Sequence, residues 1–250
     1  MSQIVAASPH VTTKNSTAVI MRDVLIALLP AVIAGCVVFG LRALLVVAVT
    51  TAACVFFEWG FEKLCHTPST ISDLSAAVTG VLLAMNLPVS IPLWQAVFGA
   101  LVAIVAVKGL FGGIGKNFAN PAITARIVMF LAFSKTMTAW VFPDAVSSAT
   151  PLAMMASGES VDYLTLLLGN HGGCLGETSA LALLIGFAYL LIRGVISWHT
   201  PVCFVGTVFV MSLILGQDAV GQILSGGLML GAIFMATDYS TTPSTDWGRV

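Results

Sequence analysis

Between Pro143 and Pro151 the chain reads Asp144-Ala145-Val146-Ser147-Ser148-Ala149-Thr150, an acidic residue followed by small and hydroxyl side chains. Such a run can lie extended on the surface of a modifying enzyme, and Ser147, Ser148 and Thr150 are the hydroxyls it could offer. An ordinary Ser/Thr-rich loop has the same composition, so these residues alone leave both readings open. A second polar stretch runs Gly112-Gly113-Ile114-Gly115-Lys116-Asn117-Phe118-Ala119-Asn120-Pro121. Three glycines in four positions permit close backbone approach, and Asn117 and Asn120 offer amides to a polar ring system. Asn120-Pro121 also reads as a helix cap followed by the first helical residue, and the two roles are compatible. In a third stretch, Gly172-Gly173-Cys174-Leu175-Gly176-Glu177, the carboxylate is placed either to cap the next helix or to contact the hydroxyl-rich loop.

The elements that position these residues are apolar. The chain is 58% hydrophobic and only 8% charged, with a mean hydropathy of +1.01, whereas a soluble domain is about a quarter charged. Composition therefore predicts an all-α polytopic membrane protein, with lipid as its surroundings. A net charge of -1 points to no nucleic-acid partner. A spanning helix needs about 20 mostly apolar residues, fewer where it is broken or buried. Segments 20–39, 43–59, 74–87, 93–111, 122–133, 178–192, 201–215 and 220–236 qualify, and 161–168 reads as a short interfacial helix. Residues 1–19 are polar and read as containing no cleavable signal, so the first span is expected to direct insertion. Cys36, Cys54, Cys65, Cys174 and Cys203 stand singly and read as small hydrophobes, with no metal site expected within this chain.

With a cytoplasmic N-terminus, alternation sets Lys14, Arg22, Lys63, Lys108, Lys116, Arg126, Arg193 and Arg249 at the inner face. Only Arg42 and Lys135 fall at the outer one, as the positive-inside rule expects. Segment 134–170, with Asp144, Glu159 and Asp162, then lies outside. Arg22, Glu58 and Glu62 are read as reaching the headgroups along their stems. A faint internal repeat pairs Leu74-Ser75-Ala76-Ala77 with Leu224-Ser225-Gly226-Gly227, and Met85 with Met235, an offset of 150 positions. The two copies run in opposite directions, which predicts inverted repeats of about five helices, with Asp238 meeting Asn86 across the axis between them. Two helices of the first repeat have no counterpart before Val250, so about two are expected to be missing from this chain.

Taken in order, five motifs resemble one family. They are Ser8-Pro9-His10, the Gly112 to Ala122 segment, the Asp144 to Leu152 run, Gly176-Glu177-Thr178-Ser179 and Ala236-Thr237-Asp238. The family comprises the RnfD components of Rnf complexes and the NqrB components of the sodium-pumping NADH:quinone reductase. The third motif resembles the flavinylation sequence D-x-x-(S/T)-G-A-T, matching at Asp144, Ser147, Ala149 and Thr150. It departs at Ser148, where the family usually has Gly, so the backbone freedom that Gly supplies must come from elsewhere. The resemblance implies FMN joined through its phosphate to Thr150 by a flavin transferase. It further implies a cell inner membrane location and electron relay between ferredoxin and NAD, coupled to Na⁺ or H⁺ translocation. The implied partners are the other Rnf subunits: flavin-carrying RnfG, the membrane proteins RnfA and RnfE, and the soluble proteins RnfB and RnfC. The quinone-reductase relative suggests a second, non-covalent flavin, riboflavin, near Gly112, Gly113, Asn117 and Asn120. The family fold is similar to that of urea transporters. The expected organisation is a cytoplasmic segment 1–19, a first repeat 20–134, an outer flavin-carrying loop 135–170 and an incomplete second repeat 171–250. No residue of the chain is expected to be catalytic alone, and the competing reading is a passive small-solute channel of the same fold.

Overall fold

The computed structural model describes residues 16–140, 150–169, 171–243, 245 and 247–249, and every regular element among them is helical. α1 (Thr17–Phe39) begins at Ser16, whose side chain accepts the Val19 N–H at 3.4 Å, and stops at Gly40, where φ is +72°. α2 (Leu41–Cys65) runs farther than its apolar stretch because Glu58 and Glu62 turn into the protein. α3 (Ser75–Met85) has 11 residues, about 16 Å of helix and roughly half of a bilayer core. α4 (Leu93–Leu101) continues as a π-helix, Val102–Gly109. α5 (Pro121–Ala132) starts as its sequence requires, with Asn120 Oδ1 accepting the Ala122 and Ile123 N–H groups at 3.0 and 3.3 Å. Short helices α6 (Ser134–Met137), α7 (Pro151–Ala156) and α8 (Tyr163–Leu168) precede α9 (Ala180–Ile192) and α10 (His199–Ile214). The last apolar segment is broken. α11 (Ala219–Leu224) ends at Ser225, Gly226 adopts φ +65°, and α12 (Leu228–Leu230) passes into a π-helix, Gly231–Met235.

Hydrogen bonds between elements set their relative directions. Arg42, at the start of α2, donates from Nε and Nη2 to the carbonyls of Val89 and Ile91, beyond the end of α3, at 3.2 and 3.1 Å. Lys108, late in the π-helix after α4, pairs with Glu58 in α2 and with Ser75 at the start of α3. These three elements therefore alternate in direction. Ser90 donates to the Ala139 carbonyl at 2.8 Å, which brings the chain after α5 back to the Arg42 end. In the second half Arg193, just past α9, pairs with Asp23 in the first turns of α1 at 3.0 Å. α10 returns, and the descent through α11 and α12 brings Tyr239 to the Val195 carbonyl. The first turns of α1, Lys108, Val195 and Tyr239 border one cavity and so share one end of the molecule.

The core is tight where helices cross at glycine. A methyl group at Gly186 would stand 2.3 Å from the Ala27 carbonyl oxygen, and one at Gly80 would stand 2.6 Å from Thr51 Cα. The outward faces are apolar: Val37 and Leu41 are each 79% exposed and Ile192 is 86% exposed. A water-facing surface seldom carries so much hydrocarbon, whereas lipid accepts it. Two helices, Thr17–Phe39 and Leu41–Cys65, are long and apolar enough to cross a membrane, and five shorter apolar helices pack with them. The molecule is a helical membrane protein whose broken helices are protected within the bundle.

Candidate functional site

Thr150 caps α7. Its half-buried side chain accepts the Ala153 N–H on Oγ1 at 3.3 Å, and Pro151 takes the first helical position, where no N–H is needed. Asp144, Ser147, Ser148 and Ala149 lie outside the described residues. α7 rests on α11: Met155 Sδ lies where a methyl at Gly221 would stand, 2.5 Å away, and a methyl at Gly226 would reach Leu152 Cδ1 at 2.9 Å. Leu152 is one wall of an open cleft of about 360 Å³. Arg126 from α5, Phe204 from α10, Gln222 from α11 and Ser225 in the break beyond it form other walls.

Below that cleft the end of α3 meets the segment leading into α9. Leu175 N–H donates to the Leu87 carbonyl at 3.1 Å, and a methyl at Gly176 would lie 2.9 Å from the Met85 carbonyl oxygen, so only glycine lets the two backbones touch. Glu177 does both things open to it in the sequence. Its Oε2 accepts the Cys174 N–H at 3.3 Å, closing a capping box, while its Oε1 lies 3.4 Å from Arg126 Nη2. Arg126 Nη1 donates to Asn86 Oδ1 at 2.9 Å, and Nη2 donates to Cys174 Sγ at 3.5 Å. Cys174 is thus a hydrogen-bond acceptor in a buried polar cluster, more than a small filler. Asn86 Nδ2 reaches Met235 Sδ at 3.8 Å, so the far ends of the two broken helices touch.

The other end of the molecule separates residues that the sequence groups together. Asn117 and Asn120 line a cavity of about 100 Å³ between the start of α1 and the end of α9, and Asn117 Oδ1 is buried there without a hydrogen-bond partner. Gly112 and Gly113, at φ +102° and +90°, line a different cavity of about 240 Å³ with Glu58, Glu62 and Thr70. Lys108 borders both, held between them by Glu58 and Ser75. Glu58 and Glu62 do not reach toward headgroups: both are buried, and Glu62 Oε1 accepts the Thr70 N–H at 2.8 Å. Asp238 accepts the Ser240 N–H at 3.2 Å and lines the smaller cavity, while Asn86 is engaged by Arg126 and Met235 instead.

Arg126, Cys174, Asn86 and Ser225 are absent from the sequence-derived site. Arg126 was available to it: a charge in the run Ala122-Ile123-Thr124-Ala125-Arg126-Ile127-Val128 is costly in lipid and needs an internal partner. Counting it toward an inner-face total conceals that, since five residues into α5 it lies within the bundle.

A model of the NQR2, RnfD, RnfE family matches residues 4–250. Among relatives in the same position of their complexes, the chain is 46% identical to the D component of the Na(+)-translocating ferredoxin:NAD(+) oxidoreductase complex of Acetobacterium woodii, over 98% of its own length and 80% of the relative's. It is 36% identical to the D component of the proton-translocating ferredoxin:NAD(+) oxidoreductase complex of Clostridium ljungdahlii, over 98% of its length and 81% of the relative's. Identity is 34% to the D component of the ion-translocating oxidoreductase complex of Rhodobacter capsulatus, over 97% of the chain and 80% of the relative.

Proposed function

The chain belongs to the NQR2, RnfD, RnfE family, and from that premise we propose that it is the RnfD-type membrane component of an ion-translocating ferredoxin:NAD oxidoreductase complex, carrying FMN as a phosphoester on Thr150. The observation that carries this reading is the setting of Thr150: a half-buried hydroxyl with one accepted hydrogen bond, two residues from the wall of a cleft deep enough for a ring system. The hydroxyl proton is the atom replaced on esterification, and the oxygen keeps a lone pair for Ala153 N–H. When bound, FMN supplies a ring that takes and gives electrons singly between carriers. The residues of this chain tether it, wall it and keep it on one side of the lipid. A covalent tether prevents loss of a cofactor open to the outside.

The loop that bears Thr150 is assigned to the outer side of the inner membrane and the N-terminus to the cytoplasm, in keeping with the distribution of Lys and Arg. The organisation proposed is 1–19, 20–134, 135–170 and 171–250, with two inverted repeats of urea-transporter type. Support comes from α3 and the broken segment after Ser225, which run in opposite senses and touch at Asn86 and Met235. Neighbours are flavin-carrying RnfG, the membrane proteins RnfA and RnfE, the soluble proteins RnfB and RnfC, and, during maturation, a flavin transferase. Translocation of Na⁺ or H⁺ is assigned to the complex, as the names of relatives vary between them. A second flavin, riboflavin, at the inner end would require Lys108 to swing aside and join two cavities, since each alone is below the roughly 300 Å³ of small ligand sites.

Denaturing electrophoresis tests the reading. Flavin fluorescence is expected to travel with the wild-type chain matured alongside its transferase, and to vanish in Thr150→Val together with ferredoxin:NAD electron flow in the complex. Fluorescence and turnover retained by Thr150→Val would remove the proposal.

A further inference from the structure

The cleft behind Leu152 is more polar than a junction of lipid-buried helices requires. Ser225 is 1% exposed and its Oγ has no hydrogen-bond partner. A buried hydroxyl is normally satisfied, and one left open beside a cleft awaits a ligand atom. Arg126, the cation of the same cleft, uses three of its five N–H donors, on Asn86, Cys174 and Glu177. Those bonds fix the guanidinium plane while leaving donors for a further acceptor. Its side chain is 33% exposed, on the cleft side of an otherwise closed cluster.

Shape and composition narrow the ligand. About 360 Å³ lies at the lower end of small-ligand sites, roughly 300–1,000 Å³, enough for a flat polycyclic ring but cramped for a whole nucleotide. Leu152, Phe204 and Val208 supply apolar surface for ring faces, and Arg126, Ser225 and Gln222 supply polar groups for one ring edge. A methyl at Gly227 would come to 3.4 Å from both Arg126 Nη1 and Glu177 Oε1, and one at Gly231 would meet nothing within 4 Å, so glycine keeps the floor open.

We infer that this cleft seats the flavin ring whose phosphate is esterified to Thr150, with Arg126 and Ser225 donating to the carbonyl-bearing edge of the ring. The inference rests on the Thr150 assignment and adds to it where the ring lies and what tunes it. Reduction places negative charge on that edge, and a fixed guanidinium in a low-dielectric cleft stabilises the electron-rich form. Arg126 therefore raises the midpoint potential of the bound group.

The test uses the full chain, produced in membranes with a flavin transferase, as wild type, Arg126→Gln, Arg126→Lys and Ser225→Ala. Denaturing-gel fluorescence reads covalent loading, and a redox titration with visible spectra reads the ring's surroundings. All four are expected to be loaded. Arg126→Gln is expected to shift the reduction equilibrium at least tenfold toward the oxidised form, about 59 mV for each one-electron step, and Arg126→Lys to recover part of that shift. Ser225→Ala is expected to change the visible band and shift the potential in the same direction, whereas a hydroxyl with only a structural place would leave both unmoved. Loaded variants with the wild-type potential and spectrum overturn the inference. A wild-type chain without covalent flavin instead defeats the Thr150 assignment and takes this inference with it. Should Arg126→Gln fail to accumulate, Ser225→Ala decides alone.

Discussion

At the scale of single residues, a side chain in this protein is fixed as much by its partner as by its own type. Thr150 holds only the first turn of a six-residue surface helix, so losing its cap costs about 1 kcal/mol. Thr150→Val is accordingly expected to accumulate in membranes near wild-type level while losing flavin, which separates a missing attachment atom from a missing fold. Lys108 is the opposite case. It is buried against Glu58 with Ser75 beside it, and breaking one side of a buried pair leaves an uncompensated charge worth about 3–5 kcal/mol. Lys108→Met is predicted to lower thermal stability in detergent markedly, and Lys108→Met combined with Glu58→Leu to recover much of the loss. A double variant no more stable than the single one would mean that the pair is not what holds α2 to the end of the π-helix. The pairing itself could not be read from the sequence, because its two members are separated by 50 positions and Glu58 near an apolar helix end looks the same whether it faces lipid headgroups or a lysine.

Elements were more legible than pairs. Each of the eight apolar segments corresponds to helix, since hydrophobic length is the property that membrane insertion selects. The break at Ser225-Gly226-Gly227 is less legible, because paired glycines are also common in continuous spanning helices, and only the left-handed Gly226 distinguishes the two. The site followed the same division. Asn120 and Glu177 cap helices as their spacing demands, whereas the grouping of Gly112 and Gly113 with Asn117 fails because Lys108 stands between their cavities. Helix crossings give a sharp test of the packing. Gly186→Ala puts a methyl into the Ala27 carbonyl and is expected to cost about 1–3 kcal/mol by prising α9 from α1. Gly206→Ala, in α10, meets nothing within 4 Å and is expected to be neutral or to gain up to about 1 kcal/mol of helix propensity. Equal effects of the two on thermal unfolding would mean that α1 and α9 do not cross at that glycine.

The whole molecule has two chemically different ends, and function depends on which one faces out. Asp23, Arg193, Lys108 and Tyr239 gather at one end, with Lys116 exposed nearby, while Arg42 and the exposed Lys135 belong to the other. In a background lacking the exposed Cys65, a cysteine at Lys135 is predicted to react with an impermeant maleimide from outside intact cells, and one at Lys116 only after the inner face is opened. The reverse pattern would put the hydroxyl-rich loop in the cytoplasm. Such an orientation would leave the tether without its purpose, because a cofactor on that side could be replaced from the cell's own pool. The most direct measurement is the mass of the peptide containing Thr150, taken from the chain matured with its transferase in native membranes. The account predicts an increment equal to FMN less one water, located on Thr150 by fragmentation. An unmodified peptide, or the same increment found only on Ser147 or Ser148, would contradict it.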